Sequence, residues 1–191
     1  ERTMRFKKAL GLVAALALSM TGLTACGGSG GTAGGGGGGT IAVVAKGYAS
    51  PFWAAVKAGA EAAGADLGYS ITFNGPDTET DVPRQNDQLQ QALVKQPSAL
   101  VFAALDSDSQ GTVLQQFTDA SIPVVAFDSG VPGSDIPKPT VATDNAAAAG
   151  EAASHLSGLI GAKGKVAIIC HSQTSVTGQD REQGFRDWVA K

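Results

Sequence analysis

Two cysteines and two histidines in 191 residues leave little material for redox or metal chemistry. Cys26 and Cys170 cannot build a disulfide framework, and neither His155 nor His171 stands at ligand spacing from another His or Cys. Gly-x-Ser-x-Gly and Gly-x-Gly-x-x-Gly spacings occur only inside the glycine run of residues 27–39, with no strand pattern before them, so neither a nucleophile elbow nor a dinucleotide fingerprint is present, and no phosphate-loop Gly-Lys-Ser/Thr occurs. A hydrolase using His171 with Ser172 or Ser175 would lack a third group to orient the base. His155, beside Leu156 on an alanine-rich stretch, reads as a flank residue, and Cys170 as a buried strand-end residue. No enzyme, no cofactor and no bound metal is therefore expected. Basic residues are scarce as well. Four of the 14 (Arg2, Arg5, Lys7 and Lys8) precede residue 26, with one of the 17 acidic residues, Glu1, so ten basic residues face 16 acidic ones thereafter. No basic stripe follows Lys8, and phosphate binding needs a positive surface, which excludes nucleic acid as a partner. Aromatics (6%) and charged residues (16%) are few, yet 43% hydrophobic content suffices for a core. The length allows one domain, or one and part of a second.

Glycine is abundant, at 26 residues, and residues 27–39 are almost pure glycine. Such a segment cannot bury apolar surface and reads as a flexible linker. A phosphate-cradling loop would follow a strand and open a helix, whereas these glycines precede the first strand. Upstream, residues 1–26 have the layout of an export signal. Met4 is a plausible start, Arg5, Lys7 and Lys8 form a basic region, and residues 9–18 are apolar but too short to span a bilayer. The segment closes on Leu23-Thr24-Ala25-Cys26, which resembles the lipobox of bacterial lipoproteins. That resemblance implies a lipidated Cys26, carrying palmitate, as the mature N-terminus.

From Thr40 the pattern is globular. Residues 41–45 form a buried β-branched run, and Ser50-Pro51 supplies an N-cap and an N1 proline. Phe52, Val56, Ala60, Ala63 and Leu67 recur at helical spacing, ending at Gly68. Strands are then expected at 69–73, 99–105 and 122–127, alternating with helices at 81–96 and 109–120. Val82, Leu89 and Leu93 mark the inner face of the first of these helices, and Val113, Leu114 and Phe117 that of the second. Segment 129–139, rich in Pro, Gly and Ser, reads as a surface loop before a short strand at 140–143. Asp144-Asn145 caps an alanine-rich helix to about Ile160, a strand is expected at 165–170, and a last helix starts near Gly178. This alternation predicts an α/β fold with a doubly wound parallel sheet. The last amphipathic pattern reaches Lys191 without a stop signal, so a second lobe is expected to have begun without finishing. The strand at 122–127 ends abruptly in Asp128, at the carboxyl edge of the sheet where ligands bind in open α/β folds.

Ser50-Pro51-Phe52-Trp53, followed by Gly59 and Gly68, resembles the Asn-Pro-Phe-Phe opening of ribose- and galactose-type periplasmic binding proteins. The similarity continues collinearly through Gln88 to Ala92, Pro97 to Val101, Asp106-Ser107, Ile122 to Asp128, Thr143-Asp144-Asn145, Gly164-Lys165-Val166 and Asp180-Arg181 to Gly184-Phe185. It implies a two-lobed binding protein, each lobe a doubly wound parallel sheet, with residues 40–142 as the first lobe and 143–191 as the start of the second. It implies a monomer that captures a sugar or sugar-like molecule outside the cytoplasmic membrane and delivers it to the permease of an ABC importer. The lactose-repressor-like regulators share the fold, but a basic helix-turn-helix would be needed ahead of Ile41. A lipid-anchored sensor for a membrane signalling partner stays open. So does a receptor for a furanosyl signalling molecule, which the stretch from His171 to Thr177 resembles.

Carried over residue by residue, the resemblance makes Phe52 and Trp53 sugar-stacking aromatics, matching the C–H faces of a sugar ring. Asp128 becomes an acceptor from sugar hydroxyls, a charge-assisted role, and Arg181 a donor, although an ion pair with Asp180 or Glu182 would also suit it. Ser50, Ser129 and Thr143 complete the first-lobe and hinge set, and Ser172, beside His171 and Gln173, faces the sugar from the second lobe. Three positions depart from the ribose-binding pattern: Ser50 and Ala103 replace asparagines, and Ser129 replaces the arginine after the aspartate. Asp128 is thereby expected to lack its usual basic neighbour, and the ligand to be larger than ribose or differently hydroxylated. The resemblance implies that sugar docks on Phe52, Trp53 and Asp128, and that hinge closure brings Ser172 and Arg181 over it.

Overall fold

A computed structural model describes residues 38–191. The expected export signal, Cys26 and all but the end of the glycine linker lie outside the described residues. Gly38 and Gly39, the last two linker positions, already belong to the fold: Gly38 N–H donates to Gly68 O at 3.2 Å, and Gly39 O accepts from Ser70 N–H at 3.1 Å.

Among the described residues, five parallel strands form one sheet: β1 (Thr40–Val44), β2 (Ser70–Asn74), β3 (Ala99–Phe102), β4 (Val124–Phe127) and β5 (Pro137–Val141), in the order β2-β1-β3-β4-β5. The helices are α1 (Pro51–Leu67), α2 (Val82–Val94), α3 (Gly111–Asp119), α4 (Asn145–Leu159) and α5 (Val176–Val189). The α/β class and the parallel sheet are as the alternation predicts. Strand order reverses direction between β1 and β3, which creates the crevice typical of ligand sites in such sheets. Ser50 caps α1 through Trp53 N–H, Pro51 occupies its first turn, and Gly68 ends it at φ 76°, a left-handed conformation that costs glycine little. Leu100, Phe102, Val44, Leu89 and Phe117 are fully buried in the main core, roughly 2–3 kcal/mol of transfer free energy for each Leu or Phe side chain.

Several elements differ from expectation for visible reasons. Helix α1 buries Trp53 and Gly64, whereas Phe52 and Leu67 are 54% and 71% exposed. The helix lies so close to β2 that a side chain at Gly64 would collide with Ile71, and this turns the inward seam by one position. Helix α2 buries Gln85 and Gln88 alongside Leu89 and Ala92. Strand β3 stops at Phe102 because the chain beyond it bonds elsewhere: Ala104 N–H to Ser129 O, and Leu105 N–H to the Gln85 side chain. Helix α3 begins two residues late because Asp106 Oδ1 takes the Asp108 and Ser109 N–H groups into a turn, and the Ser109 bond holds the Asp106 carboxyl below its usual pKa. Pro137 opens β5 at the sheet edge, the one place a strand tolerates a residue without an N–H.

The strand expected at 165–170 is a correction. Those residues carry no ladder, because among the described residues no other strand lies beside them. Cys170 is accordingly not a buried strand end; it is partly exposed and donates from Sγ to Glu182 Oε2 at 2.8 Å. Val166 and Ile169 are 46% and 96% exposed. Among the described residues, no helix is long and apolar enough to cross a membrane.

Candidate ligand-binding site

Two charged residues leave the carboxyl ends of β1 and β4, the strands on either side of β3. Lys46 follows β1 and is 3% exposed; Asp128 follows β4 at φ 55°. Positive φ is unusual for a side-chain-bearing residue but is tolerated best by Asn and Asp. Here it closes a three-residue turn in which Ser129 N–H donates to Phe127 O, while Asp128 N–H donates to Val141 O at 2.8 Å. Lys46 Nζ sits 2.7 Å from Asp128 Oδ2 and donates to Thr177 Oγ1 at 2.9 Å. A lysine is rarely buried unless paired; here one N–H donates to Thr177, while the contact with Asp128 is an ion pair whose angle does not make it a hydrogen bond. Asp128 therefore does have a basic partner. It comes from the end of β1, not from the position that Ser129 occupies.

The aromatic wall stands beside this pair. Trp53 is 2% exposed, packs edge-on against Phe127 at 6.1 Å between centroids, and meets Phe52 edge-to-face at 4.8 Å. Its indole Nε1–H donates to Glu79 Oε1 at 2.7 Å. Phe52, by contrast, leaves 54% of its surface open. The two adjacent aromatics thus do different things: Trp53 is a core residue with one edge on the cavity, and Phe52 offers a free ring.

From the other side come His171 and Arg181. Arg181 Nε–H donates to Asn145 Oδ1 at 2.7 Å, and Asn145 Nδ2–H in turn holds Thr143 O at 3.0 Å. The ion pair with Asp180 or Glu182 considered for Arg181 is replaced by this contact; Glu182 instead pairs with Arg186 at 2.7 Å. Burial lowers the His171 pKa, as do the charges of Lys46 and Arg181, against a smaller opposing effect of Glu79 and Asp128. Lys46, Phe52, Trp53, Glu79, Asp128, His171 and Arg181 together enclose about 260 Å³. With His171 neutral, the two cations balance the two carboxylates.

Four of the expected site residues, Phe52, Trp53, Asp128 and Arg181, line this cavity. Ser50 does not; its Oγ is taken up as the α1 cap at 3.4 Å from Trp53 N. Ser129 is fully buried, with its carbonyl bonded to Ala104 N–H and its hydroxyl without a hydrogen-bond partner. Thr143 contributes its carbonyl to Asn145, and its residue is exposed. Ser172 Oγ accepts from Thr174 N–H and Ser175 N–H at 3.3 and 3.1 Å, so it shapes the turn into α5 and does not face the cavity. Lys46 and Glu79 are the lining residues that sequence reasoning missed, and His171 was not among the expected ligand contacts. Lys46 carried a signal, a lone cation just past a buried strand. Glu79 carried none, because its reach depends on how two loops meet. Among the described residues no cluster of three or more His, Cys, Asp and Glu converges as a metal would need.

Residues 41–191 match the family model described as a periplasmic binding protein domain, and the chain belongs to that family. The ribose import binding protein RbsB of Salmonella typhimurium is 26% identical over 187 residues, covering 98% of this chain and 59% of that protein. The D-ribose/D-allose-binding protein of Pseudomonas aeruginosa is 30% identical over 154 residues, covering 77% of this chain and 48% of the relative. The chain thus spans about half to three fifths of the length of these relatives. Among solved structures, a carbohydrate transporter solute-binding protein of Agrobacterium radiobacter in complex with D-arabinose superposes with a TM-score of 0.76 at 31% identity, covering 81% of this chain and 54% of its own. All three are named as transport or binding proteins and none as an enzyme, in agreement with the sequence reading.

Proposed function

We propose that this protein captures a neutral monosaccharide outside the cytoplasmic membrane and hands it to the permease of an ABC importer. One observation carries the reading: the cavity is charge-balanced, two cations against two carboxylates, and walled by an exposed aromatic ring. A phosphorylated or acidic ligand would need excess positive charge, and a cationic one the reverse. A polyhydroxylated ring needs what is present, namely acceptors and donors at the rim and a flat apolar face. A volume of about 260 Å³ lies just below the usual range of ligand pockets, about 300–1,000 Å³, and suits one sugar ring. A relative named for ribose import and one solved in complex with D-arabinose support the same class.

Within this reading, residues 40–142 form one lobe and 143–191 begin a second. The sugar stacks on Phe52 and bonds to Asp128 and Lys46, while Arg181 and His171 approach from the second lobe. The cross-lobe bonds from Ser107 Oγ to Thr174 O (3.1 Å), Thr174 Oγ1 to Leu105 O (2.8 Å) and Lys46 to Thr177 favour the closed arrangement. Closure excludes water and strengthens each polar contact. Cys26 carries the lipid that holds the protein at the membrane surface. Calorimetric titration of the full-length protein against neutral pentoses and hexoses, a sugar phosphate and a sugar acid tests the reading. Saturable binding confined to neutral sugars is expected; a preference for the charged ligands would refute it.

A further inference from the structure

The carboxylate of Glu79 is placed by a construction that a loop residue does not ordinarily have. It arrives from the β2–α2 connection, while the indole it meets arrives from the first turn of α1. Two glycines bring these segments together. A side chain on Gly75 would strike the carbonyl of Gly47, so the β2–α2 and β1–α1 connections pack backbone to backbone. A Cβ on Gly47 would in turn lie 2.8 Å from Trp53 Nε1 and 3.2 Å from Glu79 Cγ, so the bare backbone there leaves the room that the pair fills. Glu79 Oε1 accepts the indole N–H at 2.7 Å. Trp53 is immobilised by burial and by Phe127, so this bond orients the carboxylate from the core outward. Glu79 lines the same cavity as Lys46, Asp128 and Arg181, yet neither of those cations is its hydrogen-bond or ion-pair partner. Glu79 is exposed, and among the described residues its second oxygen has no hydrogen-bond donor.

We propose that Glu79 is a ligand-contacting, specificity-determining residue: one carboxylate oxygen fixes Trp53, and the other accepts a hydrogen bond from one hydroxyl of the bound sugar. An ionised carboxylate accepts and cannot donate. It therefore selects for a hydroxyl at one position of the ring and against a deoxy carbon or a ring oxygen there. The inference rests on the sugar-binding reading above and adds to it a second acidic contact besides Asp128.

Glu79→Gln isolates the claim. The glutamine can keep its Oε1 on the Trp53 N–H, which turns its NH2 toward the ligand and replaces a charged acceptor by a neutral donor. Affinities of the wild type and of Glu79→Gln and Glu79→Ala in the full-length protein are measured calorimetrically for the best-bound monosaccharide and its series of monodeoxy analogues. Trp53 emission is followed as the difference between each protein and its Trp53→Phe counterpart. For the parent sugar, Glu79→Gln should weaken binding about ten- to hundredfold, the loss of one charge-assisted hydrogen bond. For one deoxy analogue, and only one, wild type and Glu79→Gln should bind alike. Glu79→Ala should shift the Trp53 emission, and Glu79→Gln should not. Wild-type binding that Glu79→Gln leaves unchanged, or weakens equally for every analogue, overturns the assignment while leaving sugar binding intact. Absence of wild-type binding to every neutral sugar overturns both.

Discussion

The ammonium of Lys46 lies 2.7 Å from Oδ2 of Asp128, with side chains 4% and 15% exposed, so the acid at the end of β4 is held by the base at the end of β1. The same ammonium donates to Thr177 at 2.9 Å in the first turn of α5. One buried cation thus joins two sheet ends and the helix that faces them.

A buried pair broken on one side leaves an uncompensated charge. Lys46→Met and Asp128→Asn should each lower unfolding free energy by up to about 3 kcal/mol, the low end for buried pairs because Asp128 opens onto the cavity. The double variant should lose less than the sum of the two. Urea denaturation of all four proteins measures this coupling; strict additivity would mean that the pair is not formed in solution.

The adjacent aromatics should separate stability from binding. Trp53→Ala removes a core residue and its bond to Glu79, and should cost about 3–5 kcal/mol of stability. Phe52→Ala removes a ring that is 54% exposed and should leave stability within about 1 kcal/mol while weakening sugar binding. Thermal melts and calorimetry read the two effects. Equal destabilisation by both substitutions would contradict the division of roles.

His171 supplies a pH dependence whose sign follows from its surroundings. Burial, and then Lys46 and Arg181, lower its pKa below the ordinary 6.5; Glu79 and Asp128 oppose them. The unfolded chain therefore takes up the proton more readily than the folded one. The contribution of this group is intact above 6.5, the unfolded value, and declines as pH falls from there through the lowered folded value. His171→Gln should flatten that part of a stability-against-pH curve. A slope unchanged in the variant would show that another group is responsible.

Much of this architecture was legible from local chemistry. Ser50-Pro51 and Gly68 bracket α1 because caps are set by a few neighbouring residues, and Val113, Leu114 and Phe117 mark the buried face of α3 by period alone. The failures are tertiary. Whether Trp53 or Phe52 turns inward depends on how closely α1 lies on β2, and 165–170 is a strand only where another strand pairs with it. The site was half legible for the same reason. Asp128 stands at the end of a strand, where pattern reveals it, whereas Phe52, Trp53 and Arg181 were legible only through the family resemblance. Ser172 looked like a ligand residue because a hydroxyl in a loop does not disclose that backbone N–H groups already occupy it. Lys46 was passed over because an unpaired lysine belongs on the surface, and its partner lies far along the sequence.

The apolar faces around α4 and α5 make a further prediction. Ile169 and Leu159 are 96% and 72% exposed, Val166 and Ile160 somewhat less, and cavities of about 420 and 370 Å³ open beside them. Exposed apolar surface of this kind promotes association. Residues 38–191 expressed alone should bind a hydrophobic dye and self-associate, and Ile169→Lys should reduce both in fluorescence and sedimentation measurements. Monomeric behaviour without dye binding would show that these faces are covered.

Calorimetric titration of the full-length wild type and of Asp128→Ala with the best-bound neutral monosaccharide tests the central claim most directly. Loss of a charge-assisted hydrogen bond should weaken binding by about ten- to hundredfold in a variant whose circular dichroism shows it folded. Unchanged affinity in folded Asp128→Ala would contradict the account.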